Sequence, residues 1–98
     1  MAWTIQHLAQ TYTEDQITDW AVELHLAMPD HDWRVVEREL FDTAATFAVP
    51  AAKVGDIADR LEDAALSVYM HPMHVRMTED IAAAARTAAD RREPWRWI

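Results

Sequence analysis

Residues 43–61 read TAATFAVPAAKVGDIADRL, and the fold class turns on whether they form helices or strands. Pro50 suits the first turn of a helix, where its missing N–H leaves nothing unpaired. Val54, Ile57, Ala58, Leu61 and Ala65 then recur at the spacing of one helical face, which predicts a helix from about residue 50 to 68. Upstream, Asp30 and Asp32 are placed to cap another helix, and Trp33, Val36, Leu40, Ala44 and Phe47 give it a buried stripe to about residue 48.

The same periodicity extends to both ends. Thr4 as cap, with Ile5, Leu8, Ala9 and Tyr12 at helical spacing, predicts a short first helix with Trp3 beside its start. Thr13 to Gln16 has the form of a capping box. It opens a second helix whose apolar face is Ile17, Trp20, Ala21, Leu24 and Met28, stopped by Pro29. A last helix starts near Pro72 and ends before Pro94, with Met73, Met77, Ile81, Ala84 or Ala85, and Ala88 inward. No run alternates long enough to predict a sheet, and a single glycine, Gly55, interrupts the chain. The sequence predicts an all-α fold: a compact bundle of about five helices, with residues 1–93 as one helical domain and residues 94–98 as a tail.

Composition removes several function classes. No apolar run approaches the roughly 18 to 20 residues of a membrane helix, and the N-terminal stretch lacks the basic and apolar regions of a secretory signal. With no cysteine there is no disulfide or thiol chemistry, which suits a cytoplasmic protein. Phosphate-cradling loops need several glycines, and one is too few. Ser67 is the lone serine and has no glycine-rich elbow around it, so no enzyme and no cofactor are expected.

Soft-metal chemistry is the first thing that residues 69–77, YMHPMHVRM, bring to mind. Met70, His71, Met73, His74 and Met77 are ligand types for copper(I). Yet Met73 and Met77 align with Ile81 and Met70 lies one turn earlier, so the methionines read as the buried stripe of the last helix, with His71 near its cap. The aspartates around His31 read as caps in the same way, and no metal site is expected.

Residues 43–61 also resemble the helix-turn-helix of small DNA-binding regulators. Ala44, Ala48 and Val54 occupy that family's small, turn and β-branched positions, with Phe47, Val49 and Ile57 as the supporting apolar residues. The resemblance implies a central helix pair and, for a transcriptional regulator, a recognition helix presenting Ala51, Ala52, Lys53 and Asp56 to the major groove.

Charge points elsewhere. Residues 1–49 hold nine acids and two arginines, whereas residues 50–98 hold eight acids and seven bases. Such a field repels phosphate and attracts a basic surface. Asp19, Glu23, Glu37, Glu39 and Asp42 form a candidate acidic docking face. Arg91, Arg92, Trp95, Arg96 and Trp97 form a basic, aromatic tail of the kind favoured at interfaces. The two tryptophans either cover the domain's own core or bury in a partner or second copy. The sequence thus predicts a non-enzymatic protein-binding regulator or adaptor with a basic partner or a homodimeric contact, with DNA binding as the alternative. In size and style it resembles the small accessory proteins of phages and mobile elements.

Overall fold

The computed structural model describes residues 2–41 and 46–98. Along the chain come β1 (Ala2–Thr4), β2 (Thr11–Thr13), α1 (Glu14–Ala27), α2 (Asp30–Val36), a π-helical turn (Glu37–Phe41), β3 (Phe47–Val49), α3 (Ala51–Ala64), α4 (Pro72–Asp90) and β4 (Trp95–Trp97). Four α-helices and two antiparallel two-stranded sheets among the described residues make a mixed α/β fold. The all-α expectation of about five helices is therefore corrected at three places.

The first is the N-terminus, where a hairpin replaces the expected short helix. β1 pairs with β2 in the register Ala2–Thr13, Trp3–Tyr12 and Thr4–Thr11. His7 takes the left-handed φ of 70° that turns the chain back between them. The second is the helix expected to run from Asp30 to residue 48. It loosens into a π turn after Val36, and Phe47–Val49 becomes β3. Asp30 and Asp32 sit within the first turn of α2, where their charge suits the helix N-terminus, while Pro29 holds the cap position. Of the helix-turn-helix positions, Ala48, Phe47 and Val49 are thus in a strand, and Ala44 lies outside the described residues.

The third correction concerns the tail. Residues 95–97 form β4, paired with β3 in the register Phe47–Trp97, Ala48–Arg96 and Val49–Trp95. On its other side β4 meets the strand that continues from β1. The Thr4 N–H donates to the Ile98 carbonyl at 2.7 Å, the Ile98 N–H to Thr4 at 2.8 Å, and the Gln6 N–H to Arg96 at 2.9 Å, around an Ile5–Trp97 bridge. The strands consequently lie in the order β2, β1, β4, β3, and both chain ends meet in the middle.

Helical expectations fare better from Thr13 to Ala27 and from Ala51 onward. The capping box forms as read: the Gln16 N–H donates to Thr13 Oγ1 at 3.1 Å and the Thr13 N–H to Gln16 Oε1 at 2.8 Å. Ile17, Trp20 and Leu24 are buried on α1, Val54, Ile57, Ala58 and Leu61 on α3, and Met77, Ile81, Ala84, Ala85 and Ala88 on α4. The small side chains let α3 and α4 lie close together. Outside that seam Arg86 reaches from α4 to Glu62 at 2.8 Å and to Asp59, and those carboxylates, Glu62 foremost, push its pKa up. α4 ends in a Schellman motif: Arg92 is left-handed at φ 55°, and the Glu93 N–H bonds the Ala88 carbonyl. That reversal sends the chain into β4.

Trp97 is the hub of the core. Its ring stacks on Phe47 at 5.5 Å and on Trp20 at 6.4 Å, and meets Trp3 and Trp95 edge-on at 6.2 and 5.4 Å. Phe41 then links Trp20 to Trp33. All five tryptophans belong to this one network, so Trp95 and Trp97 cover the chain's own core, while Arg96 between them is exposed. Inside it the Thr78 hydroxyl accepts the Trp20 indole N–H at 2.8 Å and donates to the His74 carbonyl at 2.7 Å.

Two stability predictions follow from this packing. Trp97→Ala should cost about 3–5 kcal/mol in urea denaturation, as emptying a large aromatic site does. Gly55→Ala should instead stabilise by about 0.5–1 kcal/mol. A Cβ there meets only the Ala89 Cβ, at 3.9 Å, an ordinary contact in mid-helix.

Candidate functional site

α1 carries different chemistry on its two flanks. Gln16, Asp19 and Glu23 recur on one side at helical spacing, facing β2 and the start of α4; Glu14, Thr18 and Ala21 recur on the other. Gln16 and Asp19 of the first flank form one wall of a groove of about 480 Å³, closed by Gln10 and Tyr12 from the hairpin and by Met73, His74, Arg76, Met77 and Asp80 from α4.

Glu23 sets the geometry of this groove. Its Oε1 accepts the backbone N–H of His71 at 3.1 Å, and its Oε2 faces His74 Nδ1. His71 in turn caps α4, its Nδ1 accepting the Met73 N–H at 3.1 Å. One carboxylate therefore ties the first turn of α4 to α1. Within the groove, the Gln10 amide donates to the Tyr12 hydroxyl. Burial pushes the Tyr12 phenol pKa up; the Gln10 bond opposes this and the Asp80 carboxylate adds to it. Arg76 lies 3.6 Å from Asp80 but projects mostly into solvent.

Beside the groove stands an apolar shoulder that sequence periodicity did not single out. Among the described residues the well-exposed large apolar side chains include Val22 and Leu26 on α1, and Val68, Tyr69 and Met73 in the α3–α4 connection and the start of α4, while Leu66 turns to the other side of α4 with Glu79, Ala82 and Ala83. Leu26 is 72 % and Val68 89 % exposed. Val22 and Leu26, at i, i+4, share one flank of α1 next to Glu23, whose bond to His71 brings the helix up to the end of that connection. Met73, expected inward on the methionine stripe, is 67 % exposed and belongs to both groove and shoulder.

The residues predicted to bind a partner are scattered by comparison. Asp19 and Glu37 are exposed, on α1 and the π turn respectively. Glu23 is engaged by His71 and His74, and Lys53 holds Glu39 at 3.0 Å. Asp42 lies outside the described residues. In the tail, Trp95 and Trp97 are fully buried, while Arg91, Arg92 and Arg96 are exposed and form no ion pair among the described residues. The expected recognition helix exposes Ala51, Ala52, Lys53 and Asp56, with Lys53 turned to Glu39 and Asp56 bonded to Arg60 at 3.1 Å. The soft-metal candidates diverge: Met70 is buried against Thr78, Met73 faces solvent and Met77 lines the groove. Among the described residues no three histidine or acidic side chains converge on a metal-sized site.

What the geometry defines is a small mixed α/β domain with an acidic, methionine-lined groove and an exposed apolar shoulder. The chain belongs to a family known only as a domain of unknown function, DUF7739, whose model matches residues 4–98 and so includes both β4 and the groove. No curated protein and no solved structure matches it. No described helix is long and apolar enough to cross a membrane.

The buried phenol gives the groove a pH signature. Tyr12 titrates higher folded than unfolded, so the native state keeps its proton where the unfolded chain has lost it. That contribution is full below pH 10 and disappears as pH climbs through the raised native value. Unfolding free energies measured between pH 9 and about 11 should therefore fall with pH in the parent and fall less in Tyr12→Phe.

Proposed function

We propose that this domain is a non-enzymatic protein-binding adaptor of the cytoplasm, and that it takes a basic, amphipathic segment of a partner protein along the groove and its shoulder. The observation that carries the reading is a groove in which exposed Met73 stands with Asp19 and Asp80, bordered by a helix, α1, that leaves Val22 and Leu26 exposed as well. Exposed apolar side chains that gather beside a groove mark interaction surfaces. Flexible thioethers such as Met73 adapt to varied partners. The nearby carboxylates select against acidic segments and speed the approach of basic ones.

Regulation by occupancy of this surface fits the small accessory style of the sequence. A reciprocal dimer built on the Trp95 and Trp97 rings is not part of the proposal, because those rings fill the chain's own core. Nor is duplex DNA, since Lys53, the one base on the face it would use, is already paired.

A synthetic helical peptide with leucines at i, i+3, i+4 and i+7 and lysines opposite serves as the probe, read by fluorescence anisotropy. Binding should weaken as salt rises and fall at least about tenfold with Met73→Glu or with Asp19→Lys combined with Asp80→Lys. Equal binding of a glutamate-for-lysine control peptide, or indifference to both sets of changes, would sink the proposal.

A further inference from the structure

The groove holds three soft donors that helical spacing alone assigns to a buried stripe. Met70 does lie inside, but Met73, 67 % exposed, turns out of the stripe, and Met73, His74 and Met77 all line the same groove. On α4, Met73 and Met77 stand at i, i+4 and His74 and Met77 at i, i+3, neighbouring positions whose Cβ atoms lie about 5–6 Å apart. Met77 thus adjoins both of the others within about one turn. Unbranched thioether side chains have the reach to close on a common point.

His74 is prepared for a ligand on one ring nitrogen. Its Nδ1 is buried and faces Glu23 Oε2, while Glu23 Oε1 is fixed by the His71 N–H at 3.1 Å. A carboxylate on one nitrogen sets the tautomer and leaves the lone pair on the other, the arrangement that stands behind most metal-bound histidines. That other nitrogen, Nε2, forms no hydrogen bond among the described residues and is not one of their buried unpaired atoms, so it reaches the surface, where the ring borders the groove. His71 stands apart: its Nδ1 caps α4, and its ring does not line the groove.

From this we infer that Met73, His74 and Met77 form a binding site for one soft monovalent cation, copper(I), through two thioether sulfurs and His74 Nε2. Thioether and imidazole donors select that class of ion. Asp19 and Asp80 on the same groove supply the negative surroundings that favour a cation. Zinc does not fit, because no three histidine or acidic side chains converge among the described residues. The site shares Met73 with the partner surface and does not rest on that reading.

The test uses metal ions alone on the full chain, which has no cysteine to compete for a soft ion. Methionine methyl signals of the ¹³C-labelled protein are followed as silver(I), the redox-inert counterpart of copper(I), is added. Copper(I) affinity is read in competition with bicinchoninate. The Met73 and Met77 signals should move together and saturate at one equivalent of silver(I), and zinc(II) should leave both in place. Met73→Leu, at an exposed position that folding does not depend on, and Met77→Leu should each weaken copper(I) binding by more than about tenfold, the least that losing even a hydrogen-bond partner of a ligand costs a metal site. Glu23→Gln, which keeps the side chain's size and removes its charge from His74, should weaken it by about 10–100-fold. Met70→Leu should leave it unchanged. No response to silver(I) at one equivalent, saturation without movement of the Met73 signal, or parental copper(I) affinity in Met73→Leu would each overturn the site.

Discussion

Most of this small molecule hangs on the meeting of its two chain ends through Trp97. Ile5 bridges to it from the N-terminal strand, Phe47 pairs with it across β3, and Trp20 stacks on it from α1. A chain of this length buries limited apolar area, and one aromatic network shared by strands and helix compensates by joining elements far apart in sequence. The helices then need only supply a floor: α3 and α4 zip together through alanines, and α1 and α2 are held against them by Trp20, Trp33 and Phe41.

That dependence explains why helices were legible and strands were not. α1, α3 and α4 are long enough for periodicity to show, and their caps are local chemistry, the Thr13–Gln16 box and Pro72 after His71. Each strand is three residues long, too short for alternation to stand out. Ile5, Leu8 and Tyr12 mimic helical spacing by coincidence of a hairpin: Ile5 and Tyr12 both end up buried, while His7 between them adopts a left-handed turn. The π turn is invisible because nothing in ERELF departs from an ordinary helix pattern.

Site residues were legible where charge or residue type advertised them and hidden where tertiary contact decides. Asp19 stands out in the acid count and lines the groove; Met73, His74 and Met77 have the residue types of metal ligands and line it as well. Glu23 reads in the sequence as part of an acidic face, yet it fastens α1 to α4. The apolar shoulder depends on which side of α1 stays bare and on how residues 66–69 leave α3, neither of which spacing reveals. The tail arginines are exposed, and of the two outcomes open to the tryptophans β4 takes the inward one by alternating, Trp95 and Trp97 to the core and Arg96 to solvent.

The paired ends have one more consequence. With Thr4 and Ile98 exchanging backbone hydrogen bonds, the first and last residues of the fold leave the domain at one spot. Polypeptide joined to the two ends would emerge side by side. A label on either end would report on the same corner, where the strand that starts as β1 meets β4.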